Sequence, residues 1–583
     1  MANLIVDARD QRFVLHEMLG IEDLCESPRY ADFSRDVFDM ILNEAEKFAV
    51  EEMFPTLVES DKEGCRLENG EIFVPKSFHR LYRLFCEGGW GAMSKSPEVG
   101  GQGLPYVMAT SANEWFIHNL GFLVLGFLGQ GAAHLIEVYG SEELKAKYLP
   151  KMVSGEWNGT MCLTEPNAGT DLGNMSTKAI RQPDGTFKIQ GTKSFITGLD
   201  QDLTENIIHP VLARIEGDPA GTKGISIFLV GDNNECYAEL LGEERQGIKV
   251  MFQMMNEARI GTGMQGVGSA SIAYLHALQY AKERIQGSSL ENFRDPNAPK
   301  VPIIKHPDVR RMLLWMKASV DSMRAMLYFA AYAVDREVTA EDEAGKEKWH
   351  GFLEILTPIV KAYCSDVGFK VTEQAIQVYG GYGYCSEYPV EQFMRDEKIA
   401  SIYEGANGVQ ALDLVGRKLG MKKGAYFMNL LMEMGDTVAK YKEIPGLSDL
   451  AEDVQTGVNL LGEMGLFFAD CGKAGKFMVP VGHAYPFLMM MGKIVSGWLM
   501  LWQAGIAKEK LDELAKGKNV DSSDREAWGT FIRDNSDAAF YEGKVVSARY
   551  FIKNVLPEAD AAAKAIKSED LSIVEIIDES FAS

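Results

Sequence analysis

Positive charge is scarce in this 583-residue sequence, as are the cysteine and histidine spacings that bind metals. The 59 basic side chains are outnumbered by 83 acidic ones, giving a formal net charge of −24. Nucleic acid and anionic membranes are therefore disfavoured as main partners, because both need clustered Lys and Arg. The eight cysteines form no CxxC pair and the nine histidines no HExxH motif, so neither a disulfide framework nor a metal site is indicated. We expect a reduced cytoplasmic compartment, with most cysteines acting as small buried hydrophobes.

Targeting and membrane segments are not indicated either. The first residues lack a basic stretch followed by a long apolar run, so no secretory signal is expected. Two apolar runs, 120–128 and 486–506, resemble membrane spans. The first is too short, and Lys493 and Gln503 interrupt the second. We interpret the second run as the core helix of a bundle.

What is present is a succession of helical and β patterns, typical of a mainly α protein with a central β-domain. Short strands punctuated by Gly, Pro and Asp suggest a closed barrel or stacked sheets, and are predicted at 160–164, 177–181, 186–189, 193–197, 207–215 and 225–230. The predicted segments are an N-terminal extension (1–35), a helical domain (36–157), the β-domain (158–245), a helical bundle (246–425) and an additional C-terminal helical domain (426–583).

Glu404 is the most informative carboxylate, because it lies between an aromatic residue and Gly405 where one helical pattern ends and the next begins. Loss of hydration among apolar neighbours would raise its pKa toward values suited to a general base. The alternative is an ordinary solvated loop residue. Asn407 is the predicted N-cap of the following helix. That helix is expected to end at Gly420 and to bury Leu412, Val415 and Leu419.

Two glycine-containing motifs admit two interpretations each. Residues 261–266 spell GxGxxG, but no β-strand precedes them, so a helix packed closely on a neighbour is the better interpretation than a dinucleotide site. Residues 377–384 contain consecutive glycines whose amides a pyrophosphate could approach, although an ordinary helix C-cap is equally compatible. Arg284 is either a ligand contact or a solvated helix terminus.

Four ordered motifs together resemble the acyl-CoA dehydrogenase family of flavoproteins: residues 161–171, 191–198, 377–384, and 394–396 running on to 402–405. The resemblance covers about 40–420. Residues 12–17, 306–312 and 498–500 extend it to a large bacterial subfamily with a short N-terminal segment and an extra C-terminal helical domain. That subfamily includes enzymes for fatty acyl-CoAs and for 3-methylthiopropanoyl-CoA. The implied fold is a helical domain, a β-barrel and a four-helix bundle, followed by the extra domain.

The resemblance implies FAD as cofactor and Glu404 as the base that removes a proton next to the thioester. It places the isoalloxazine ring near Met161, Leu163, Thr164, Gly169, Thr170, Phe195 and Thr197. The adenine-diphosphate half would meet Arg284, Gln377, Gly380 and Gly381, in the family from a neighbouring subunit, which implies a homo-oligomer, most simply a dimer. Ala406 and Gly408 would also lie near FAD, and Thr170, Asn256, Arg259, Tyr403 and Gly405 near the acyl-CoA.

The sequence departs from the family pattern at three of these positions. Phe195 replaces the usual tryptophan, Thr170 stands where serine is common, and Ala406 replaces a threonine, removing one contact to FAD. Some family members keep the base just before the arginine that aligns with Arg259. Here that position is Ala258, which favours Glu404 and leaves the neighbouring Glu257 as a distant second candidate.

The activity implied is oxidation of a saturated acyl-CoA to the trans-2-enoyl-CoA, with electrons passed to an electron-transfer flavoprotein. An acyl-CoA oxidase that gives its electrons to oxygen is one alternative, and a non-catalytic helical interaction protein is another. Which acyl group is bound depends on side chains at the end of the pocket, which sequence spacing does not identify.

Overall fold

The computed structural model describes residues 3–231, 235–292 and 294–582. They form two compact units, one of residues 30–261 and the other of residues 3–29 together with 262–582.

The helices of the described chain are α1 Ala8–Arg12, α2 Arg35–Phe48, α3 Leu57–Glu63, α4 Lys76–Glu87, α5 Tyr106–Phe116, α6 Leu120–Tyr139, α7 Glu142–Val153, α8 Gly247–Glu283, α9 Pro307–Thr339, α10 Glu343–Tyr379, α11 Val390–Lys398, α12 Asn407–Gly416, α13 Ala425–Lys442, α14 Ser448–Lys473, α15 Met478–Gly482, α16 Ala484–Gly517, α17 Arg525–Asp534, α18 Ser536–Asn554, α19 Glu558–Lys567 and α20 Ser572–Glu575. The strands are β1 Arg66–Glu68, β2 Glu71–Phe73, β3 Trp157–Gly159, β4 Lys178–Arg181, β5 Phe187–Gln190, β6 Asn206–Ile215, β7 Ile225–Gly231, β8 Tyr237–Leu240, β9 Ile285–Ser288 and β10 Lys300–Pro302. The chain is thus mainly α with a central β-domain, as the sequence predicts.

A small closed sheet forms the β-domain of the first unit. Its strands run β6-β4-β5-β8-β7, and β7 pairs back onto β6, while β3 lies parallel to β6 on the other side. Along β7, Phe228 and Val230 join one hydrophobic cluster, whereas Ile227 and Leu229 join another that includes residues of α6 and α7. Because both faces of this strand are buried, its sequence is an uninterrupted apolar run rather than an alternating one.

Two strand predictions are wrong. Residues 160–164 are not a strand. Strand β3 ends at Gly159, and beyond it Cys162 makes a single bridge to Val211. Residues 193–197 are a loop, because Phe195 has a φ of +59°, which a β-strand cannot accommodate. Strand β8 was not predicted, since its four residues are too short to give a clear period.

Long helices build the second unit, in which α9, α10, α16 and α18 pack on one another. Trp498 of α16 is fully buried and meets the edge of Phe329 of α9 at 5.2 Å between ring centroids.

Two described helices, α6 and α16, are long and apolar enough to cross a membrane by length and composition alone. The most apolar window of α16 is 78% buried inside the protein, which supports the predicted core helix at 486–506. The length argument made for residues 120–128 is wrong, because the run continues as the 20-residue helix α6, half buried in its apolar window.

The GxGxxG string lies inside α8, as the alternative interpretation predicts. A Cβ atom on Gly266 would lie 2.3 Å from the carbonyl oxygen of Cys364, and one on Gly263 would lie 2.4 Å from a methyl group of Val360. These glycines let α8 approach α10 closely, and they lie within a continuous helix rather than in the strand–turn–helix context of a dinucleotide site.

Buried charges connect the N-terminal segment to long helices within the second unit. Asp10, Arg324 and Lys544 have no exposed surface. Arg324 donates to one Asp10 oxygen at 2.5 Å and Lys544 to the other at 2.5 Å, while Lys544 also lies 3.3 Å from Asp321. This network stabilises residues of 3–29 against α9 and α18.

The cysteine prediction is wrong in one respect. All eight are free thiols, but only Cys162, Cys364 and Cys471 are buried, and Cys65, Cys236 and Cys385 are exposed. Composition and spacing do not reveal on which face of an element a cysteine falls.

Candidate active site

Glu404 lies in the loop that joins α11 to α12, where the backbone is strained. Its φ is +55° and that of Gly405 is +81°, so two consecutive residues adopt the left-handed region. For a residue with a side chain this conformation costs on the order of 1 kcal/mol or more, and it persists only where surrounding contacts hold it.

Side chains from two helices hold this loop. Tyr403 donates its phenolic hydrogen to Oε1 of Gln265 on α8 at 2.5 Å, and Gln265 donates to the carbonyl of Asp396 at 3.1 Å. Gln410, fully buried in α12, donates to the carbonyls of Glu404 (3.5 Å) and Gly405 (3.2 Å). The carboxylate of Glu404 is therefore presented from a backbone fixed on both sides.

Asn407 has a different role from the predicted N-cap. It is the first residue of α12, with Ala406 at the cap position and no side-chain cap bond. Its buried side chain accepts a hydrogen bond from Lys361 Nζ at 2.8 Å and donates to Ser365 Oγ at 3.0 Å and to the carbonyl of Ala362 at 3.2 Å. The first turn of α12 is thus anchored on α10.

The predicted buried face of α12 is also wrong. The helix ends at Gly416 rather than Gly420, and Leu412 is 46% exposed. The buried side is defined by Asn407, Gln410, Ala411 and Leu414. Polar anchoring residues occupy part of the core-facing stripe, and apolar periodicity alone does not identify them.

Burial and nearby carboxyl groups raise the pKa of Tyr403. Desolvation is the main cause, followed by the charges of Glu404 and Glu397. Tyr403 therefore stays a neutral hydrogen-bond donor next to the candidate base.

A second group of predicted residues lies in the first unit, around the loop after β3. The amide of Ser194 donates to the carbonyl of Thr164 at 2.9 Å, which joins the segment 161–164 to the segment 193–197. Lys193 Nζ reinforces this link by donating to the carbonyl of Leu163 and to Glu165, both at 2.9 Å. Glu165 also accepts from the amides of Ser176 and Thr177.

The surfaces of this group fit a flat apolar ring. Phe195 is 96% exposed at φ +59°, so its ring projects from the loop beside Thr164. Gly169, next to Thr170, has no atom within 4 Å of the place where a Cβ would lie, which leaves the main chain there open to a ligand. Met161 and Leu163 are half buried, and Thr170 and Thr197 are exposed.

The residues predicted for the adenine-diphosphate half meet in the second unit. Arg284, just after α8, donates to the Tyr280 hydroxyl at 2.8 Å and lies 4.7 Å from the ring centroid of Tyr382. Gly380 has a φ of +64°, and neither it nor Gly381 has an atom within 4 Å of a Cβ position. With the exposed Gln377, these residues form an open surface with one cation and accessible backbone, which fits a diphosphate.

Glu257 is unsuited to the role of base. Its carboxylate lies 3.1 Å from Nε2 of His134. Burial opposes ionisation, but the hydrogen bond from His134 and the positive charges of Lys95 and His134 lower the pKa of Glu257. A carboxylate with a lowered pKa is a weaker proton acceptor. Asn256 and Arg259 lie on the same stretch of α8, with Arg259 buried and its guanidinium 5.8 Å from the Phe252 ring centroid.

The predicted cofactor and base residues thus form three groups: the loops 161–170 and 193–197 of the first unit, the surface at the C-terminal end of α10, and the loop of Glu404 with Ala406 and the exposed Gly408. The last two are separate parts of the second unit. Lys361, which anchors the Glu404 loop, precedes Tyr379 by 18 residues of α10, or about 27 Å along the helix axis.

Sequence reasoning missed the anchoring residues Gln265, Lys361 and Gln410. Lys361 gives a signal, because it is a lone charge in the apolar run 355–363. Gln265 is likewise the one long polar side chain within the small-residue stripe of α8. The small-residue stripe of α8, which argues against a dinucleotide site, therefore also draws attention to Gln265 as a residue that supports the Glu404 loop.

Comparison with known proteins agrees with this architecture. Residues 36–156, 160–250 and 245–419 match the domain families described as acyl-CoA dehydrogenase N-terminal, middle and C-terminal domain. Residues 430–576 match the family described as acetyl-CoA dehydrogenase C-terminal like.

Two relatives and one solved structure illustrate the similarity over the whole chain. A butyryl-CoA dehydrogenase of Syntrophomonas wolfei is 33% identical over 99% of this chain and 99% of its own length. The 3-methylmercaptopropionyl-CoA dehydrogenase of Ruegeria pomeroyi is 34% identical over 93% of this chain and 95% of its own length. ACDH-11 of Caenorhabditis elegans, solved in complex with C11-CoA, shares the fold with a TM-score of 0.72 at 18% identity, covering 99% of this chain and 95% of that chain.

A helical, barrel and helical arrangement with these domain matches defines a flavoprotein oxidoreductase with FAD as its cofactor. The chain belongs to the acyl-CoA dehydrogenase family.

Proposed function

We propose that this protein oxidises a saturated acyl-CoA thioester to the trans-2-enoyl-CoA, with Glu404 as the general base. The observation that carries the proposal is the left-handed backbone of Glu404, held by Gln410 and by the Tyr403–Gln265 hydrogen bond. Strain that contacts maintain at a carboxylate supports a functional role for that carboxylate.

In the proposed reaction the Glu404 carboxylate accepts the proton from the carbon next to the thioester carbonyl. The β-carbon loses hydrogen with its electron pair, and the double bond forms between the two carbons. When bound, FAD supplies the acceptor for that hydride at N5. The backbone N–H of Glu404 is proposed to donate to the thioester oxygen, where negative charge develops as the proton leaves.

The residues proposed to hold FAD lie in the loops 161–170 and 193–197, with the Phe195 ring and the Thr164 hydroxyl nearest the isoalloxazine. A Cβ atom on Gly169 or Gly381 would meet no atom within 4 Å, so protein packing does not require glycine at either position. This supports the proposal that the ligand approaches the backbone directly there. Ala406 offers no hydroxyl, so one side-chain contact of the family is missing on that side.

The acyl group is proposed to be short and unbranched. Both relatives named above act, by their names, on such chains: a butyryl group and a thioether that replaces one chain carbon with sulfur. The acyl and CoA portions are proposed to meet Thr170, Asn256, Arg259, Tyr403 and Gly405.

The partners proposed are an electron-transfer flavoprotein and a second copy of this chain in a cytoplasmic homodimer. The distance of about 27 Å along α10 between Lys361 and the diglycine supports the dimer, because Arg284, Gln377, Gly380 and Gly381 would then serve the partner's cofactor. The five segments 1–35, 36–157, 158–245, 246–425 and 426–583 remain the proposed domains.

Anaerobic titration of the yellow holoprotein with acyl-CoAs tests the proposal. We expect butyryl-CoA to bleach the flavin absorbance, and branched or cyclic acyl-CoAs to do so more weakly. Electron-transfer flavoprotein should then restore the colour faster than air does. Rapid reoxidation by air with formation of peroxide would favour an acyl-CoA oxidase. A colourless protein that cannot be reconstituted with FAD would favour a non-catalytic interaction protein.

A further inference from the structure

A second carboxyl group lies close to the Glu404 loop, in an unusual environment. Glu397, near the end of α11, has no exposed surface. Neither of its carboxyl oxygens has a hydrogen-bond partner among the described residues. Lys361, whose positive charge acts on Glu397, donates a hydrogen bond to Asn407. An isolated carboxylate in this position would carry a large desolvation cost.

Polar groups from every neighbouring element surround this carboxyl. Ser269 faces it from α8, although not within ordinary hydrogen-bond geometry. The charges that act on Glu397 are those of Lys361 and Asp366 on α10 and of Asp396 on α11. The charge of Glu397 acts in turn on Cys364 of α10 and on Tyr403 in the loop. Two of the groups that act on Glu397 are acidic and one is cationic, so the surroundings do not compensate a second buried negative charge.

Glu397 and Glu404 are electrostatically linked through Tyr403. The charges of both carboxylates contribute to the raised pKa of that phenol. If both were ionised, two negative charges would lie near this phenol.

We propose that Glu397 holds a proton in the working enzyme and is a positioning residue for Glu404. As a neutral acid it fills the space between α8, α10 and the loop, and leaves Glu404 as the negative charge that acts on the substrate. Ionisation of Glu397 would require water to enter this packed region and would displace the loop. This inference rests on the proposed role of Glu404 as base.

Burial is the main reason that the pKa of Glu397 lies well above its ordinary value, with the charges of Asp366 and Asp396 adding to it and Ser269 and Lys361 acting in the opposite direction. The enzyme should therefore lose activity reversibly on the alkaline side, as Glu397 ionises.

The test is the pH profile of kcat in the holoenzyme, compared between wild type, E397Q and E391Q. The wild type should show a decline of kcat on the alkaline side, and E397Q should not, because an amide cannot ionise. Glu391 lies on the same helix but pairs with Arg395 at 2.7 Å, so E391Q should keep the wild-type profile. Identical profiles for wild type and E397Q, or a wild type without an alkaline limb, would overturn the proposal.

The acidic limb of the same kcat profile tests the protonation of Glu397 independently. If Glu397 were ionised during catalysis, its replacement by Gln would remove a repelling charge and shift the acidic limb to lower pH. We expect no such shift, and a shift of about one pH unit or more would contradict the proposal.

A second measurement does not depend on catalysis. At neutral pH the wild type should show an infrared band of a protonated carboxyl group, which appears in the difference spectrum of wild type minus E397Q. The spectrum of E391Q should still contain this band. Absence of that band would overturn the inference even if Glu404 proves to be the base. Conversely, a band present in a protein that does not oxidise acyl-CoA would mean that the proposed function, and not the protonation of Glu397, is wrong.

Discussion

Tyr403 Oη lies 2.5 Å from Gln265 Oε1, which fixes the residue before Glu404 to helix α8. The bond is partly buried, and Gln265 is 1% exposed. Nε2 of the same Gln265 side chain donates to the carbonyl of Asp396. One glutamine side chain therefore joins α8 to both ends of the segment that presents the candidate base.

Removal of this hydrogen bond should lower kcat while FAD remains bound. We expect Tyr403→Phe and Gln265→Leu each to reduce kcat roughly tenfold or more, because small displacements of a catalytic group carry large rate losses. The double variant should be little worse than either single one, since both remove the same bond. Tyr485→Phe is the control: Tyr485 is 42% exposed and bonds to Asp366. Additive losses in the double variant would contradict this role.

Acid should destabilise the first unit through Glu165. Burial opposes ionisation, but hydrogen bonds from Thr177, Ser176 and Lys193 lower the pKa of Glu165 to about 2 from an ordinary value of 4.5. Its stabilising contribution is thus present above about pH 4.5 and is lost as pH falls toward 2, an effect on the order of 2 kcal/mol.

Urea unfolding of the first unit across that range checks this prediction. Glu165→Gln should be less stable than wild type at neutral pH and should depend less on pH between 4.5 and 2. Glu143→Gln, an exposed substitution on α7, should follow the wild type. Parallel pH curves for wild type and Glu165→Gln would show that the carboxylate is not stabilised by these bonds.

Gly381→Ala should weaken FAD binding without affecting the fold. Gly381 has no atom within 4 Å of a Cβ position and does not have a positive φ, so alanine fits without strain. If the diphosphate approaches this backbone, an added methyl group should lower FAD affinity about tenfold or more.

Gly435→Ala is the matched control, since it also has open space and lies in α13. FAD affinity, measured by fluorescence quenching, and the thermal midpoint should be recorded for both variants. Equal FAD affinity in Gly381→Ala and wild type would remove the diglycine from the cofactor site.

Asp10→Ala should strongly destabilise the second unit. Asp10 is fully buried between Arg324 and Lys544, and their positive charges lower its pKa despite the opposing desolvation. Removal of the acid leaves the buried Arg324 without this carboxylate and leaves Lys544 with Asp321 at 3.3 Å, at a cost of about 3–5 kcal/mol.

Asp537→Ala removes an exposed partner of Arg9, 3.7 Å away, and should cost less than about 1 kcal/mol. The urea midpoint of the second unit measures both effects. A similar small loss in both variants would contradict the importance of the buried network.

The sequence predicts the core helix at 486–506 and four of the six strands proposed for the β-domain, because these segments carry clear apolar patterns. It fails at α12, where Asn407 and Gln410 occupy buried positions that an apolar pattern would assign to leucines. The partner of Asn407, Lys361, lies 46 residues away in the chain, so no local pattern predicts that hydrogen bond.

The same limit applies to the loop 193–197. Its alternation of residues is typical of a strand, but Lys193 turns inward to Glu165 and Phe195 takes a positive φ. Short-range preference is overridden there by tertiary contacts. The resemblance to a family identifies the residues of the candidate site, whereas the structure identifies what holds them.

Glu404→Gln tests the central claim most directly. Anaerobic mixing of the FAD-loaded variant with butyryl-CoA should leave the yellow absorbance unbleached, because the amide occupies the same space but cannot accept the proton. The variant should still bind FAD as wild type does. Bleaching at a rate close to that of wild type would show that another group is the base, and loss of FAD would show that Glu404 has a structural role instead.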